Sequence, residues 1–205
     1  MRWASYGTRR LFPPGTTIFE HGAEATDAYL IVEGAIKLVW SDGIGSEIIV
    51  GLRWPGWFLG AAAVIAGRPY ATSAVTLVST SLEQIESSSF LSRLLSDEEL
   101  NWRVHQSHSV EIMDQSSAAS RASTSSQYRL RDALQQAITH LGPLARASDG
   151  RFVLPINRRE LAQLIFVTPE HLSRLLREFV REDLIRLERG WIIIPDPKKL
   201  SNKAI

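Results

Sequence analysis

The chain has 205 residues, of which 44% are hydrophobic and 22% charged, a composition typical of a globular protein with one large or two small domains. It contains no cysteine, which excludes disulfides, thiolate nucleophiles and cysteine-bound zinc or iron–sulfur clusters. No apolar run approaches the roughly 18 residues of a membrane span, and the N-terminus has no signal-peptide core. We therefore expect a cytoplasmic protein with no membrane partner.

Charge is distributed unevenly along the chain. Residues 1–97 hold 7 Lys and Arg against 9 Asp and Glu, residues 98–126 hold 2 against 4, and residues 127–205 hold 14 against 9. A basic C-terminal third after an acidic remainder indicates a module that meets a polyanion. A basic surface that is merely solvated is the alternative at this point.

Residues 11–85 carry the turn signals and short β-rich runs of an all-β domain. Turns of the Pro-Gly, Asp-Gly and Glu-Gly type separate five runs: Thr17–Phe19, Tyr29–Val32, Ala35–Trp40, Ile48–Val50 and Ala74–Val78. Strands at this spacing predict an antiparallel sandwich or barrel. We assign the aromatic residues of this region to its core.

Residues 90–141 contain neither proline nor glycine, so they can form long helices that stop at the Gly-Pro pair that follows. Within them, residues 116–126 are rich in Ser and Ala. This tract is typical of a linker, or of a small-residue seam between paired helices with Ala118, Ala122 and Ser125 at helical spacing. The larger apolar residues are too sparse for a heptad, so we favour a helix with a weak seam.

Two helix-start signals follow each other closely in the C-terminal third. Asn157 is the expected N-cap of the first helix, and Glu160 closes its capping box. Thr168 is the expected N-cap of the second helix, with Pro169 at its first position. The short turn between the two helices contains Phe166.

The second helix has two distinct faces. A buried stripe repeats at i, i+3, i+4 and i+7: Leu172, Leu175, Leu176 and Phe179. A polar stripe lies opposite: Glu170, Ser173, Arg174 and Arg177. Residues 184–194 then read as two strands around Glu188–Gly190, which would form a wing. This order predicts a helix-turn-helix whose second helix reads base edges in the major groove.

These features resemble the Crp–Fnr family of transcription regulators over nearly the whole chain. Three segments carry the resemblance: the glycine-punctuated hairpin Tyr29–Ile36, the G-x-F-x-G segment within Pro55–Gly60, and Glu170–Arg174, similar to the E-x-x-S-R helix of the fumarate–nitrate branch. The resemblance implies an α+β fold in three parts. These are an antiparallel, cupin-like β-roll that senses an effector (1–97), a long dimerisation helix (98–126) and a winged helix-turn-helix that binds DNA (127–205).

The resemblance also implies a homodimer that binds double-stranded DNA at an inverted repeat with TTGAT-like half-sites, with RNA polymerase as a further candidate partner. Three residues of the polar stripe would read bases: Arg174 a guanine, Glu170 a cytosine and Ser173 a thymine. Three others would hold phosphates: Arg158, Thr168 and Arg177.

The roll departs from the branch of the family that binds cyclic AMP. That branch holds the nucleotide with a Glu and an Arg-Ser pair, whereas this chain has Gly60-Ala61 and Thr72-Ser73 at the matching positions. Because a buried phosphate needs a paired cation, we expect no cyclic AMP, and these four residues become the candidate pocket of an unidentified effector. No iron–sulfur cluster or other cofactor is expected.

Two features leave alternatives open. Phe166 lies in the turn where the family commonly has glycine, so a positive φ there would store strain.

His105, His108 and Glu111 have a spacing that a metal or haem site on a helix could use. Because the expected roll is cupin-like, a cupin-like small-molecule or metal-binding protein or enzyme is the rival interpretation, whereas the family resemblance predicts a protein that is not an enzyme.

Overall fold

The computed structural model describes residues 6–43, 47–121, 124–142, 145 and 151–201, without the side chains of residues 114–121 and 201. The chain divides into two compact units, residues 1–117 and 118–205. The division falls inside the long helix Glu98–Arg121, within the segment predicted as the dimerisation helix.

The first unit contains two four-stranded antiparallel sheets. One has the strand order β1-β8-β3-β6: Thr8–Phe12 (β1), Thr80–Glu86 (β8), Asp27–Glu33 (β3) and Phe58–Leu59 (β6). The other has the order β2-β7-β4-β5: Thr17–Phe19 (β2), Ser73–Thr76 (β7), Ile36–Ser41 (β4) and Glu47–Arg53 (β5). The β-roll implied by the family resemblance is confirmed, and so is the all-β character predicted from the spacing of turns.

Strand β3 lies at the centre of this unit because both of its faces are buried. Successive side chains of a strand point to opposite faces. Ala28 and Leu30 therefore pack in a core shared with helices, whereas Tyr29 and Ile31 pack in a core between the two sheets.

The described part of the first unit also holds the helices Ala61–Ala66 (α1) and Ser87–Ser96 (α2) and most of the helix Glu98–Arg121 (α3). Helix α3 contributes Leu100 and Val104 to the core beneath β3. Further along α3, Ile112 and Met113 are 64% and 68% exposed.

Three strands of the roll were not predicted from the sequence. Strand β1 is an exposed edge strand, and β6 has only two residues. Strand β8 is buried but polar: the carboxylate of Glu83 accepts the N–H of Tyr6 at 2.9 Å, and the hydroxyl of Thr80 donates to the carbonyl of Val78 at 2.8 Å. Satisfied polar groups in a buried strand obscure the hydrophobic pattern on which strand prediction depends.

Helix α3 continues through the Ser/Ala tract as far as Arg121, so the helical interpretation is confirmed to that residue. Ala122 and Ser123 lie outside the described residues. Ser125 is the N-cap of the next helix, Ser126–Leu141 (α4), where its hydroxyl accepts the N–H of Tyr128 at 3.2 Å. The predicted seam is therefore wrong at Ser125, because this residue starts a new helix instead of continuing α3.

The described residues of the second unit form four helices and a small sheet. After α4 come Phe152–Val153 (β9), Arg158–Leu164 (α5), Pro169–Arg181 (α6), Arg186–Glu188 (β10), Trp191–Ile194 (β11) and Pro197–Ser201 (α7). The three strands form an antiparallel sheet in the order β10-β11-β9. Helix α4 ends at Leu141 with Gly142 as its C-cap, which confirms the predicted stop.

Candidate nucleic-acid interface

Helix α5 starts at the predicted capping box. The side-chain oxygen of Asn157 accepts the N–H of Glu160 at 2.9 Å, and the carboxylate of Glu160 accepts the N–H of Asn157 at 3.0 Å. Two N–H groups at this helix start, including that of the cap residue, are thereby satisfied. Arg158, a predicted phosphate contact, occupies the first helical position and is exposed.

Helix α6 also starts and packs as predicted. The hydroxyl of Thr168 accepts the N–H of His171 at 3.2 Å, with Pro169 at the first helical position. The predicted buried stripe is buried throughout: Leu172, Leu175, Leu176 and Phe179. On the other side Glu170, Arg174 and Arg177 are exposed and Ser173 is half-buried, so the structure brings the predicted polar stripe together on one accessible face.

Several side chains of this face already interact with their own helix. The hydroxyl of Ser173 donates to the carbonyl of Pro169 at 2.9 Å, and Nε of Arg177 donates to the carbonyl of Ser173 at 3.2 Å. The backbone N–H of Glu170 and the Thr168 hydroxyl hold the pKa of the Glu170 carboxyl below its ordinary value, and the Arg174 charge lowers it further. Glu170 is therefore ionised at neutral pH, the state in which a carboxylate accepts a hydrogen bond from a base amino group.

In the turn between α5 and α6, a bulky residue adopts a backbone conformation that glycine ordinarily occupies. Phe166 has φ +55° and its side chain is 64% exposed. The N–H of Phe166 donates to Gln163 at 3.1 Å, and the N–H of Val167 donates to Ala162 at 3.0 Å. The positive φ considered from the sequence is confirmed. The two hydrogen bonds stabilise this strained backbone conformation.

The hairpin of β10 and β11 is the predicted wing. Glu188 lies directly opposite Trp191, and the two loop residues Arg189 and Gly190 have φ +48° and +89°. Two successive positive φ values define the type I′ turn that joins closely paired strands. This turn places the exposed Arg189 at the wing tip, a candidate phosphate contact that sequence analysis missed although its position before Gly190 was the available signal.

The side chains that join α4 to the helix-turn-helix were also not predicted from the sequence. Ser126, Gln127 and Arg129, all in the first two turns of α4, form hydrogen bonds to α6 or to the C-cap residue that follows α5. These bonds span 36 to 51 residues of sequence, and they belong to no local motif.

Gly60, one of the four candidate effector residues, packs against an aromatic stack in the roll. Gly60 has φ +70°, and a Cβ added to it would lie 2.6 Å from the ring of Tyr70. Tyr70 stacks on Phe19 with ring centroids 3.9 Å apart, and Ala61 is completely buried. Thr72 is half-buried. Ser73, its neighbour, uses its hydroxyl to accept the N–H of His21 at 2.9 Å.

Two of the residues considered for a metal site are an ion-pair partner and a partly buried histidine. Glu111 pairs with Arg53 at 2.5 Å, and burial lowers the pKa of His108. Among the residues that the structure describes, no group of three or more His, Cys, Asp or Glu side chains is arranged to hold a metal ion. None of the described helices is long and apolar enough to cross a membrane.

Known domain families match both units. The model of the cyclic nucleotide-binding domain matches residues 9–97, and the model of the Crp-like helix-turn-helix domain matches residues 129–203. The chain belongs to the Crp–Fnr family of transcription regulators. These two matches confirm the predicted family, and the sheets and helices of the two units confirm the predicted α+β fold class.

Relatives in this family resemble the Crp–Fnr chain over most of its length. It is 29% identical over 180 residues to the transcriptional regulator SdrP of Thermus thermophilus, covering 86% of this chain and 83% of that protein. It is 22% identical over 194 residues to a CRP-like cAMP-activated global transcriptional regulator of Mycobacterium tuberculosis, covering 94% and 86%. A crystal structure of a CRP/FNR-family regulator from T. thermophilus matches with a TM-score of 0.77 at 25% identity, covering 95% of this chain and 96% of that one.

Proposed function

We propose that this protein is a homodimeric, non-enzymatic transcription regulator that reads an inverted repeat with TTGAT-like half-sites. It acts in the cytoplasm on double-stranded DNA, with RNA polymerase as a candidate partner. The exposed polar face of α6 carries the proposal. There Arg174 reads a guanine, Glu170 a cytosine amino group and Ser173 a thymine.

Charge and exposure support the phosphate contacts of this proposal. Residues 127–205 hold 14 Lys and Arg against 9 Asp and Glu. Arg158 and Arg177 are exposed on the two helices of the motif. Together with the hydroxyl of Thr168, they hold phosphates on either side of the bases that α6 reads.

The exposed apolar side chains of α3 support the homodimer. Leu100 and Val104 are used in the core of the protomer, but Ile112 and Met113 lie on the surface. Large exposed apolar side chains on one helix are typical of an interface. Ile112→Asp combined with Met113→Asp is expected to give a monomer in sedimentation velocity, whereas His105→Asp, at an exposed position of the same helix, is expected to leave a dimer.

The roll of this protein is proposed not to bind cyclic AMP, although one relative is named as cAMP-activated. Ala61 is buried and Tyr70 packs against Gly60, while Thr72 and Ser73 offer no charge to a phosphate. A thermal-shift screen tests the proposal, since a ligand that binds only the folded state raises the melting temperature. A rise with cyclic AMP would refute it, a rise with another compound would identify the effector class, and no rise would favour DNA binding without an effector.

The first test of DNA reading is selection from a randomised duplex library at fixed salt with no added ligand. Recovery of an inverted repeat with TTGAT-like arms is the expected result. Recovery of a different repeat would refute the half-site assignment, and recovery of no sequence would refute DNA reading in the absence of an effector.

Substitutions at two arginines then separate base reading from phosphate binding. Arg174→Ala is expected to cost about 1–3 kcal/mol on the selected site and to relax the preference at one guanine. Arg158→Ala is expected to weaken all sequences alike and to reduce the salt dependence of binding. Arg68→Ala removes the same charge from an exposed position of the roll and is the matched control. Unchanged sequence preference in Arg174→Ala would refute the assigned reading face.

A further inference from the structure

The start of α4 is joined to the helix-turn-helix at three points. Ser126 Oγ and His171 Nε2 are 2.7 Å apart, Nε2 of Gln127 donates to the carboxylate of Glu178 at 2.8 Å, and Nε of Arg129 donates to the carbonyl of Ile165 at 2.8 Å. We call these three bonds the α4 latch. All three bonds lie within the second unit, and the bonds made by Gln127 and Arg129 each include one charged group.

Arg129 binds the most strained part of the motif. Ile165 is the C-cap of α5, where helix carbonyls lack partners within the helix and a cation is favourable. The next residue, Phe166, has the positive φ. Such a conformation persists only where the surroundings fix it from several sides. Arg129 also donates to the carbonyl of Thr124 at 2.5 Å, so one guanidinium ties the start of α4 to the turn.

The other two bonds hold α6 at both ends of its reading segment. His171 and Glu178 are seven residues, or about two helical turns, apart. Residues at this spacing share one side of a helix. Two attachments separated along one side fix the tilt of the helix and its rotation about its own axis. Both quantities determine where Glu170 and Arg174 point.

We propose that the α4 latch is a positioning element that sets the orientation of α6 and thereby its discrimination between DNA sequences. This inference rests on the proposed DNA-reading function. The latch residues do not read bases themselves. They act through α6, so their loss reduces specific binding more than it reduces non-specific binding, which depends on phosphate contacts.

Variants that keep the net charge test the proposal without changing the electrostatic attraction to DNA. Arg129→Lys keeps the charge but loses the planar fork that binds two carbonyls. Ser126→Ala removes the hydroxyl at the first position of α4, and Ser126→Thr restores one. Gln136→Ala is the control, because the Gln136 amide donates to Asp132 one turn earlier on the same helix, at 3.0 Å.

The measurement is the ratio of affinities for the selected site and for random duplex, over a range of salt concentrations. We expect Arg129→Lys and Ser126→Ala each to lower specific affinity about tenfold, the size of one lost hydrogen bond, with non-specific affinity and salt slope unchanged. Ser126→Thr and Gln136→Ala are expected to match the wild type. An equal loss of both affinities with a smaller salt slope would show a direct phosphate contact and overturn the proposal, as would no loss at all.

Amide hydrogen exchange without DNA separates failure of the latch from failure of the DNA-reading function. The N–H groups of Phe166 and Val167 are expected to exchange about tenfold faster in Arg129→Lys than in Gln136→Ala. If the wild type selects no sequence while this difference is present, the DNA-reading function fails and the latch is supported as a positioning element of the motif. If the exchange rates are equal, the latch is refuted whatever the protein binds.

Discussion

At position 166 a glycine variant is expected to be more stable than an alanine variant, although alanine is ordinarily the more stable of the two. A residue with a Cβ costs about 1–2 kcal/mol in the left-handed region that Phe166 occupies at φ +55°. Glycine escapes this cost but adds about 0.4–1 kcal/mol of backbone entropy to the unfolded chain. Because both substitutions remove the same ring, which is 64% exposed, the lost packing cancels in the comparison. Phe166→Gly is therefore expected to be more stable than Phe166→Ala by about 0.5–1 kcal/mol.

Arg159 provides the matched control on α5. It is exposed and lies at the second helical position with an ordinary backbone, so Arg159→Gly is expected to be less stable than Arg159→Ala by about 0.5–1 kcal/mol. Hydrogen exchange of the buried Leu175 and Leu176 amides is the suitable assay, because a chain with two compact units need not unfold in one step. If glycine destabilises more than alanine at both positions, the argument from strain at Phe166 is wrong.

Three further predictions follow from the structure, one of them with a control substitution. Asn157→Ala removes the capping box and should destabilise α5 by about 1 kcal/mol, measured as faster exchange of the Leu161 amide. Gly34 has φ +105°, and in Gly34→Ala the new Cβ would lie 2.4 Å from the Thr80 hydroxyl. This variant should lower the free energy of unfolding, measured by denaturation, by roughly 2–4 kcal/mol. Gly15→Ala, where the Cβ would meet open space, should lower it by only about 1 kcal/mol. Burial, with a smaller contribution from Asp27, raises the pKa of Tyr29 to about 12. Its unfolded pKa near 10 means that stability falls as pH rises from about 10 to 12, and Tyr29→Phe should remove that part of the fall in alkaline denaturation.

The helix-turn-helix could be predicted in detail because its signals are local. Asn157 and Thr168 cap helices whose first turns they touch, and the buried stripe of α6 repeats within eight residues. The wing could also be predicted from the sequence, because a two-residue loop ending in Gly190 favours few conformations other than a tight hairpin turn.

The parts that could not be predicted depend on contacts distant in sequence. Strand β8 contains the buried Glu83, whose partner is the N–H of Tyr6, 77 residues away. Helix α1, with the sequence AAAVIA, is a short apolar run, and such runs do not distinguish a strand from a helix. The α4 latch depends on the packing of α4 against the motif, which no pattern within α4 reveals.

Residues at the start of α6 already interact with one another in the absence of DNA. These interactions affect how much each residue gains when it contacts DNA. The Thr168 hydroxyl accepts the N–H of His171 and also interacts with the Glu170 carboxylate. For Thr168 to hold a phosphate, or for Glu170 to accept from cytosine, these interactions must be exchanged for contacts with DNA, and the exchange offsets part of the gain. Arg174 interacts with Glu170 only through its charge, so reaching a guanine requires less rearrangement. The guanine is therefore the position at which we expect discrimination to concentrate.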